Sequence, residues 1–361
     1  MARLLQTGFE LGTSASVGAD TTATALIAVV PSSPSPRSGT YCLRCLANSI
    51  TAQVWSMKRI AQAAASEVWY AFGFQHSLVG EPVNAVSFFR VFDAAGTMLL
   101  ALVCDGGTIR AYYQTGVGNS MTATTGWTLI GSGSVSASSG AWHLIEVRYV
   151  PHLTNGLLEV YLDGASILSA SAVRTAQSTT PATECALTFT RYGVATGSAA
   201  SFCAFDDLRV NDTTGSRNNG RPFDEAIRLM VPTGAGDLTQ LSRGGTDSGA
   251  NWSQVEEVPP ATADYVTGAS AGLTDLYATD DFPTSAISAI SLVAQVANSD
   301  GAGGTVNLVS KTGAGQSNGS AYALTAVWTY QNRLLETDPS DGAPWNSSKL
   351  TSLQLGARIA S

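Results

Sequence analysis

The sequence predicts an all-β protein built as two sandwich domains in tandem, and three observations lead there. Apolar, β-branched and aromatic residues alternate with polar ones along most of the chain, as in the stretches 69–74, 85–92 and 97–103. Turn formers such as Asp93-Ala94-Ala95-Gly96 and Asp105-Gly106-Gly107 close these runs, because glycine tolerates the backbone of tight reversals. A chain of 361 residues is also long for one small sandwich and comfortable for two. Only 57–65 and 222–230 have helical composition, and each reads equally as a loop with one helical turn.

Charged residues make up 13% of the chain, roughly half the usual share. The net charge of −8 and the lack of any basic run argue against a partner recognised through its phosphate backbone, which needs clustered Lys and Arg. The N-terminus turns polar by Gln6, so no signal peptide is expected. The longest apolar run, 25–31, is far below the roughly 20 residues of a spanning helix and reads as a buried strand. A chain made in a host cytoplasm without a leader and working outside it leaves by lysis or assembly, which fits a virion component. The five cysteines, Cys42, Cys45, Cys104, Cys185 and Cys203, are odd in number and sit mostly within apolar strands, so buried thiols are expected rather than a disulfide framework. Cys42-Leu43-Arg44-Cys45 has no second ligand pair, and residues three apart on a strand face opposite ways, which argues against zinc.

The most informative segment is 140–164. Ala141-Trp142-His143-Leu144-Ile145-Glu146-Val147-Arg148-Tyr149 and Gly156-Leu157-Leu158-Glu159-Val160-Tyr161-Leu162-Asp163-Gly164 read as a hairpin whose second strand ends in an Asp-Gly turn. In order and spacing they resemble the concanavalin-like lectin and laminin-G jelly-roll family. Residues 202–210 resemble that family's last strand, which pairs with the first, here Gly8-Phe9-Glu10-Leu11. The resemblance covers about residues 1–212. It implies two antiparallel sheets packed face to face, with a concave face used for glycans or protein partners. It also implies calcium at the sandwich rim, for which Asp93, Asp105, Asp163 and Asp206 stand beside turns. Turn chemistry is the competing reading of these carboxylates. Tyr112, Tyr113 and Trp127, near glycine-rich loops, are the rings placed to stack on a sugar, with core packing as the competing reading.

Residues 213–222 are turn formers without an apolar core and read as an exposed linker, followed by a second β-sandwich domain at 223–361. There Asn251-Trp252, Asp264-Tyr265-Val266, Asp275-Leu276-Tyr277, the strands 287–296 and 321–330, Asp338-Pro339, Gly342, Trp345 and Leu353-Gln354-Leu355-Gly356 resemble a β module of tailed-bacteriophage structural proteins.

Glycanases of the jelly-roll fold resemble one another in an E-x-D-x-x-E strand, whose two carboxylates flank the scissile bond as acid and nucleophile, and this chain lacks it. The acidic pairs Asp206-Asp207 and Asp280-Asp281 are adjacent, so on a strand their side chains diverge. His76, His143 and His152 have no Gly-x-Ser-x-Gly elbow to serve. The sequence therefore leads to the expectation of a non-enzymatic bacteriophage virion structural protein, a tail fibre or tip component or a capsid decoration. Its expected partners are other virion proteins, copies of itself with a trimer preferred, and a host surface glycan. Neither nucleic acid nor membrane insertion is expected, and no cofactor beyond the calcium that the resemblance implies. A free carbohydrate-binding lectin and an unusual glycoside hydrolase are the alternatives.

Overall fold

The structure is a computed structural model that describes residues 2–22, 27–46, 55–78, 86–104, 107–115, 126–135, 139–191, 201–246, 248–280, 286–299 and 303–361. The chain divides into two compact units, Met1–Arg228 and Leu229–Ser361. The first unit is a jelly-roll sandwich. In chain order its strands are β1 (Arg3–Thr7), β2 (Ala19–Thr22), β3 (Ile27–Val30), β4 (Cys42–Leu46) and β5 (Trp55–Ala65). There follow β6 (Val68–Ser77), β7 (Val86–Phe92), β8 (Met98–Cys104), β9 (Thr108–Gln114) and β10 (Trp127–Ser134). The last are β11 (His143–Val150), β12 (Gly156–Leu162), β13 (Ala165–Val173), β14 (Ala182–Arg191) and β15 (Phe202–Asp212). One sheet runs β13-β12-β11-β6-β15-β4-β3, with β1 also on β15, and the other runs β10-β9-β8-β7-β14-β5-β2.

Period-two alternation sends every second side chain of both sheets into one shared core. Tyr70, Phe72 and Phe74 of β6 meet Phe88 and Phe89 of β7, with ring centroids 4.5 Å apart for Phe74–Phe88 and 5.0 Å for Phe72–Phe89. Phe88 and Phe89 are neighbours in sequence, yet both are fully buried in this core, because the β7–β8 register shifts between Ser87 and Phe89. The Tyr149 hydroxyl ties the sheets by donating to the carbonyls of Leu99 and Thr175 at 3.1 and 3.0 Å. At one side β10 crosses β13 so closely that a Cβ on Gly133 would lie 2.0 Å from the Ile167 carbonyl.

Several expectations are corrected here. Residues 57–65 belong to strand β5, where Ser56 and Ile60 face the core side, Arg59 faces out, and the Lys58 ammonium is accommodated by the Gly18 carbonyl at 2.6 Å. Pairing with β14 and β2 overrides the local helical composition. Strand β3, within the run 25–31, is half-buried rather than buried because it lies at a sheet edge. The first strand is Arg3–Thr7 rather than 8–11, and Phe9, at φ 60°, turns the chain after it. Strand β6 lies in the opposite sheet from β7, so the hairpin succession runs β7-β8-β9-β10.

The expected linker at 213–222 is instead laid on the outer face of the eight-stranded sheet, and 223–228 follow it there. Arg221 grips Glu146 through two hydrogen bonds of 2.8 and 2.6 Å, with its guanidinium 3.8 Å over the Tyr161 ring. Asn211 donates to the Gly220 carbonyl, and buried Arg209 donates to the carbonyls of Phe223 and Glu225. Arg3 pairs with Glu225 at 3.1 Å, and Arg37 pairs with Asp224. The boundary therefore falls after Arg228.

The second unit contains β16 (Pro232–Thr239), β17 (Ser242–Gly245), β18 (Asp264–Thr267), β19 (Thr274–Thr279) and β20 (Ile290–Val296). It continues with β21 (Thr305–Thr312), β22 (Gly315–Ser317), β23 (Ala321–Ala323), β24 (Thr329–Leu335), α1 (Ser347–Leu350) and β25 (Gln354–Ile359). A sheet of order β16-β19-β25-β21-β22, with β23 on β21, is faced by the β20–β24 ribbon, which packs Ile290, Leu292 and Leu335 against Leu308. Buried Asp275 accepts from the backbone N–H groups of Gln240 and Leu241, from the Asn251 amide at 2.6 Å and from the Tyr277 hydroxyl at 3.1 Å. Asp338 accepts from Thr312, Ser340 and Lys349, while the Trp345 indole donates to the Leu335 carbonyl. Burial would raise the Asp338 pKa, but these hydrogen bonds hold it down at about 2.

Removing Arg221 leaves the Glu146 carboxylate, 3% exposed, without its charged partner. Arg221→Ala is expected to destabilise the jelly roll by about 1–3 kcal/mol in urea unfolding, with Glu146→Gln in the same background recovering part of the loss. An unchanged midpoint in the single variant would mean that the segment does not latch onto the sheet.

Candidate functional site

The outer face of the seven-stranded sheet brings together arginines, rings and hydroxyls, with Arg59, Arg110, Tyr112 and Trp127 half-buried and Arg90, Ser87, Thr188 and Thr190 buried. Cross-strand register aligns Arg59, Ala186, Arg90, Ala101, Tyr112 and Leu129 in one row across β5, β14, β7, β8, β9 and β10. A second row brings Thr190, Ser87, Val103, Arg110 and Ser132 beside it. These residues face outward because their sequence neighbours, such as Leu187, Phe89, Leu102 and Ala111, enter the core. The two alanines of the first row flank Arg90 with small side chains.

Arg90 is 1% exposed, and its Nε is 3.4 Å from the Ser87 hydroxyl. Trp127 stands between two members of the row: its ring is 5.8 Å from the Arg90 guanidinium carbon and 5.8 Å from the Tyr112 ring centroid, tilted 46° to the latter. Beneath it lie Met57, Phe92, Met98, Ala101 and Ala186. Arg59 hydrogen-bonds Glu184 and sits 4.6 Å over the Phe92 ring. The Thr188 hydroxyl, 2.7 Å from that of Thr190, donates to the Ser56 carbonyl. The face therefore combines planar cations, rings and hydroxyls, the groups that bind carboxylates and sugar faces.

Of the three rings singled out by sequence, Tyr112 and Trp127 come together here and Tyr113 does not. Tyr113 points to the other side of β9, is 7% exposed and lies under the Arg174 guanidinium at 5.2 Å. Arg90 and Arg59 were missed. The signal for Arg90 was a charged residue inside the apolar run Phe88-Phe89-Arg90-Val91-Phe92.

The carboxylates considered for calcium serve other purposes. Asp93 accepts from the Ala95 and Thr97 N–H groups and caps its turn. Asp163, at φ 49°, accepts from the Leu144 N–H and lies 2.7 Å from His143 Nδ1. Asp105 and Asp281 lie outside the described residues. Asp206 accepts from the N–H groups of Arg37, Ser38 and Asp207, and Asp207 from the Arg37 guanidinium, the Ser38 hydroxyl and the Ile227 N–H. The two side chains were expected to diverge. They converge on one loop because Asp207 adopts φ 50° at a register shift between Asp206 and Arg209. Glu10 joins them by accepting from the Thr40 and Tyr41 N–H groups, and glycine at 39 leaves it space, since a Cβ there would lie 2.3 Å from its carboxylate. Among the described residues no three His, Cys, Asp or Glu side chains converge as a metal cage. The oxygens of Asp93, Asp163, Asp206, Asp207 and Glu10 are directed at N–H and O–H donors, and these described carboxylates do not fit a calcium ion.

Burial, reinforced by the Asp207 charge, pushes the Glu10 pKa up to about 7 from 4.5, and burial raises Asp206 in the same direction. A carboxyl raised in the folded state favours folding while protonated, so this stabilisation is complete below the unfolded value and is lost as pH climbs through the folded one. The jelly roll is expected to melt several degrees higher near pH 5 than near pH 8, and Glu10→Gln should flatten that slope. A profile rising toward pH 8 contradicts the reading.

No protein-family profile matches the chain, and no curated protein sequence matches it. Similarity appears at the level of solved structures. An endo-β-1,4-glucuronan lyase from the fungus Trichoderma reesei is 13% identical with a TM-score of 0.45, over 58% of this chain and 95% of that one. The alginate lyase Aly36B is 14% identical with a TM-score of 0.36, over 48% and 82%. The carbohydrate-binding module CBM66 from Bacillus subtilis is 9% identical with a TM-score of 0.33, over 54% and 97%. These likenesses correct the expectation that the chain is not an enzyme. Two of these solved structures are named as lyases, and the missing E-x-D-x-x-E strand speaks only to hydrolytic glycanases.

Proposed function

We propose that the jelly-roll unit engages carbohydrate on the outer face of its seven-stranded sheet, and that the glycan it takes carries carboxylates. The observation that carries this reading is Trp127 seated between Tyr112 and Arg90. The rings offer stacking surface to a pyranose, the buried Arg90 guanidinium lends its charge beneath them, and a planar guanidinium such as that of half-buried Arg110 matches a carboxylate's two oxygens. Arg59 and Arg110 extend the cationic strip across neighbouring strands. The hydroxyls of Ser87, Thr188 and Thr190 are buried and bonded within the protein, so they brace the strip rather than meet the sugar.

A second reading concerns chemistry at the same face, and the placement of Tyr112 in the row of Arg90 favours it. Pairing a uronate carboxylate with a guanidinium offsets its negative charge and makes the proton on the adjacent carbon more acidic. A tyrosine in its phenolate form can take that proton and pass it to the departing glycosidic oxygen, which leaves as a hydroxyl while a carbon–carbon double bond forms. No water is consumed, so the reaction is elimination.

We further propose that the chain works in a bacteriophage particle, as a tail-associated fibre or tip component or a capsid decoration, and that copies of it present this face to a host glycan. The resemblance of the second unit to phage structural modules and the low surface charge support this reading. Display in several copies multiplies weak contacts into firm attachment. Purified particles should then contain the chain at fixed stoichiometry. Tight glycan binding by a monomer absent from particles favours the free lectin.

Polyuronates such as glucuronan and alginate are the glycans to test against a neutral glucan. Trp127→Ala is expected to weaken polyuronate binding about tenfold, or about 1.4 kcal/mol, by calorimetry. Tyr112→Phe should keep binding and abolish any release of unsaturated, ultraviolet-absorbing ends. Equal affinity for charged and neutral chains, unchanged by Trp127→Ala, sinks the proposal.

A further inference from the structure

The cysteines carry an inference that does not rest on the glycan reading. We propose that Cys45 and Cys203 are a disulfide-forming pair that staples the strand β4 to the closing strand β15. In the β15–β4 ladder Cys203 and Cys45 stand directly opposite one another. Opposed residues of an antiparallel pair share a face, and their Cα atoms lie about 4.5 or 5.5 Å apart depending on the type of pair. Both separations fall within the range that a disulfide spans, roughly 4.4–6.8 Å. Both side chains are buried in the same core between the sheets. Chance pairing does not extend to the other cysteines. Cys42 opposes Val30, Cys104 opposes Val86 and Ile109, and Cys185 opposes Ile60 and Val91. The odd number of cysteines is thereby explained as one pair and three packing thiols.

Both thiols are 0% exposed, so oxidation precedes closure of the sandwich. The oxidant is a small-molecule disulfide such as oxidised glutathione. One cysteine thiolate attacks its S–S bond and releases a glutathione thiolate, leaving a mixed disulfide. The second cysteine thiolate attacks the protein sulfur of that mixed disulfide and releases the other glutathione. Two protein thiols are oxidised, one glutathione disulfide is reduced to two thiols, and the protons pass to the released thiolates. The bond closes a loop of more than 150 residues, the long-loop case in which constraining the unfolded chain stabilises most.

The test refolds the full chain from denaturant in a glutathione redox buffer or in excess reductant, alkylates it in denaturant and maps tryptic peptides. After oxidative refolding, peptide 45–58 is expected joined to peptide 192–209, with Cys42, Cys104 and Cys185 alkylated. The oxidised protein should melt several degrees above the reduced one, a gain lost in Cys203→Ser and kept in Cys104→Ser. Alkylation of all five cysteines after oxidative refolding, or a cross-link to any other cysteine, overturns the proposal. The peptide map needs only the unaltered chain, so it decides the matter even where a variant does not fold.

Discussion

The aromatic layer between the two sheets, Tyr70, Phe72 and Phe74 against Phe88 and Phe89, is the contact on which the first unit depends. It sets the relation between β6 and β7, strands that are adjacent in the chain but belong to different sheets. Seating two consecutive phenylalanines in one core requires the irregularity at Ser87–Phe89. Beyond that irregularity the alternation resumes and turns Arg90 outward, in line with Tyr112. The candidate glycan face is thus a consequence of how the core is filled, and its groups stand on strands rather than on loops, which keeps their spacing fixed.

A chain with so few charges concentrates them. On the outer face of the eight-stranded sheet, Arg3, Arg37 and Arg209 bind carboxylates and carbonyls of 220–228, and Arg221 from that segment binds Glu146, which together hold it down. On the outer face of the seven-stranded sheet, arginines alternate with small residues and rings. The first set binds the segment that follows the sandwich, a structural use of arginine. The second set has acceptors of its own, Glu184 for Arg59 and Ser87 for Arg90, but it adjoins a partly exposed tryptophan, which is why it, rather than the first, carries the functional reading.

In the second unit, residues that stood out in sequence have structural work. Asn251, Asp275 and Tyr277 form one buried hydrogen-bonded group, and Asp338 with Lys349 fixes the turn that places Trp345. Buried carboxylates left without donors are costly, so each is surrounded by N–H and O–H groups. Such a motif identifies a module by its scaffold and is silent on its ligand.

By itself the sequence determined the all-β class, the hairpin 143–162, and the burial of the five cysteines, because period-two alternation and turn chemistry are local properties. It also brought Tyr112 and Trp127 to notice as rings near loops. Only the tertiary structure decided which residues share a row. Arg59 and Arg90 lie 31 positions apart in the chain and become neighbours solely through β14 between them, a register that no local pattern encodes. Bulges had the same effect: a single left-handed residue at Asp207 converted two carboxylates expected to diverge into a converging pair. The extent of the first unit was likewise decided by long-range ion pairs, which hold a turn-rich segment against a sheet although its composition alone reads as a linker.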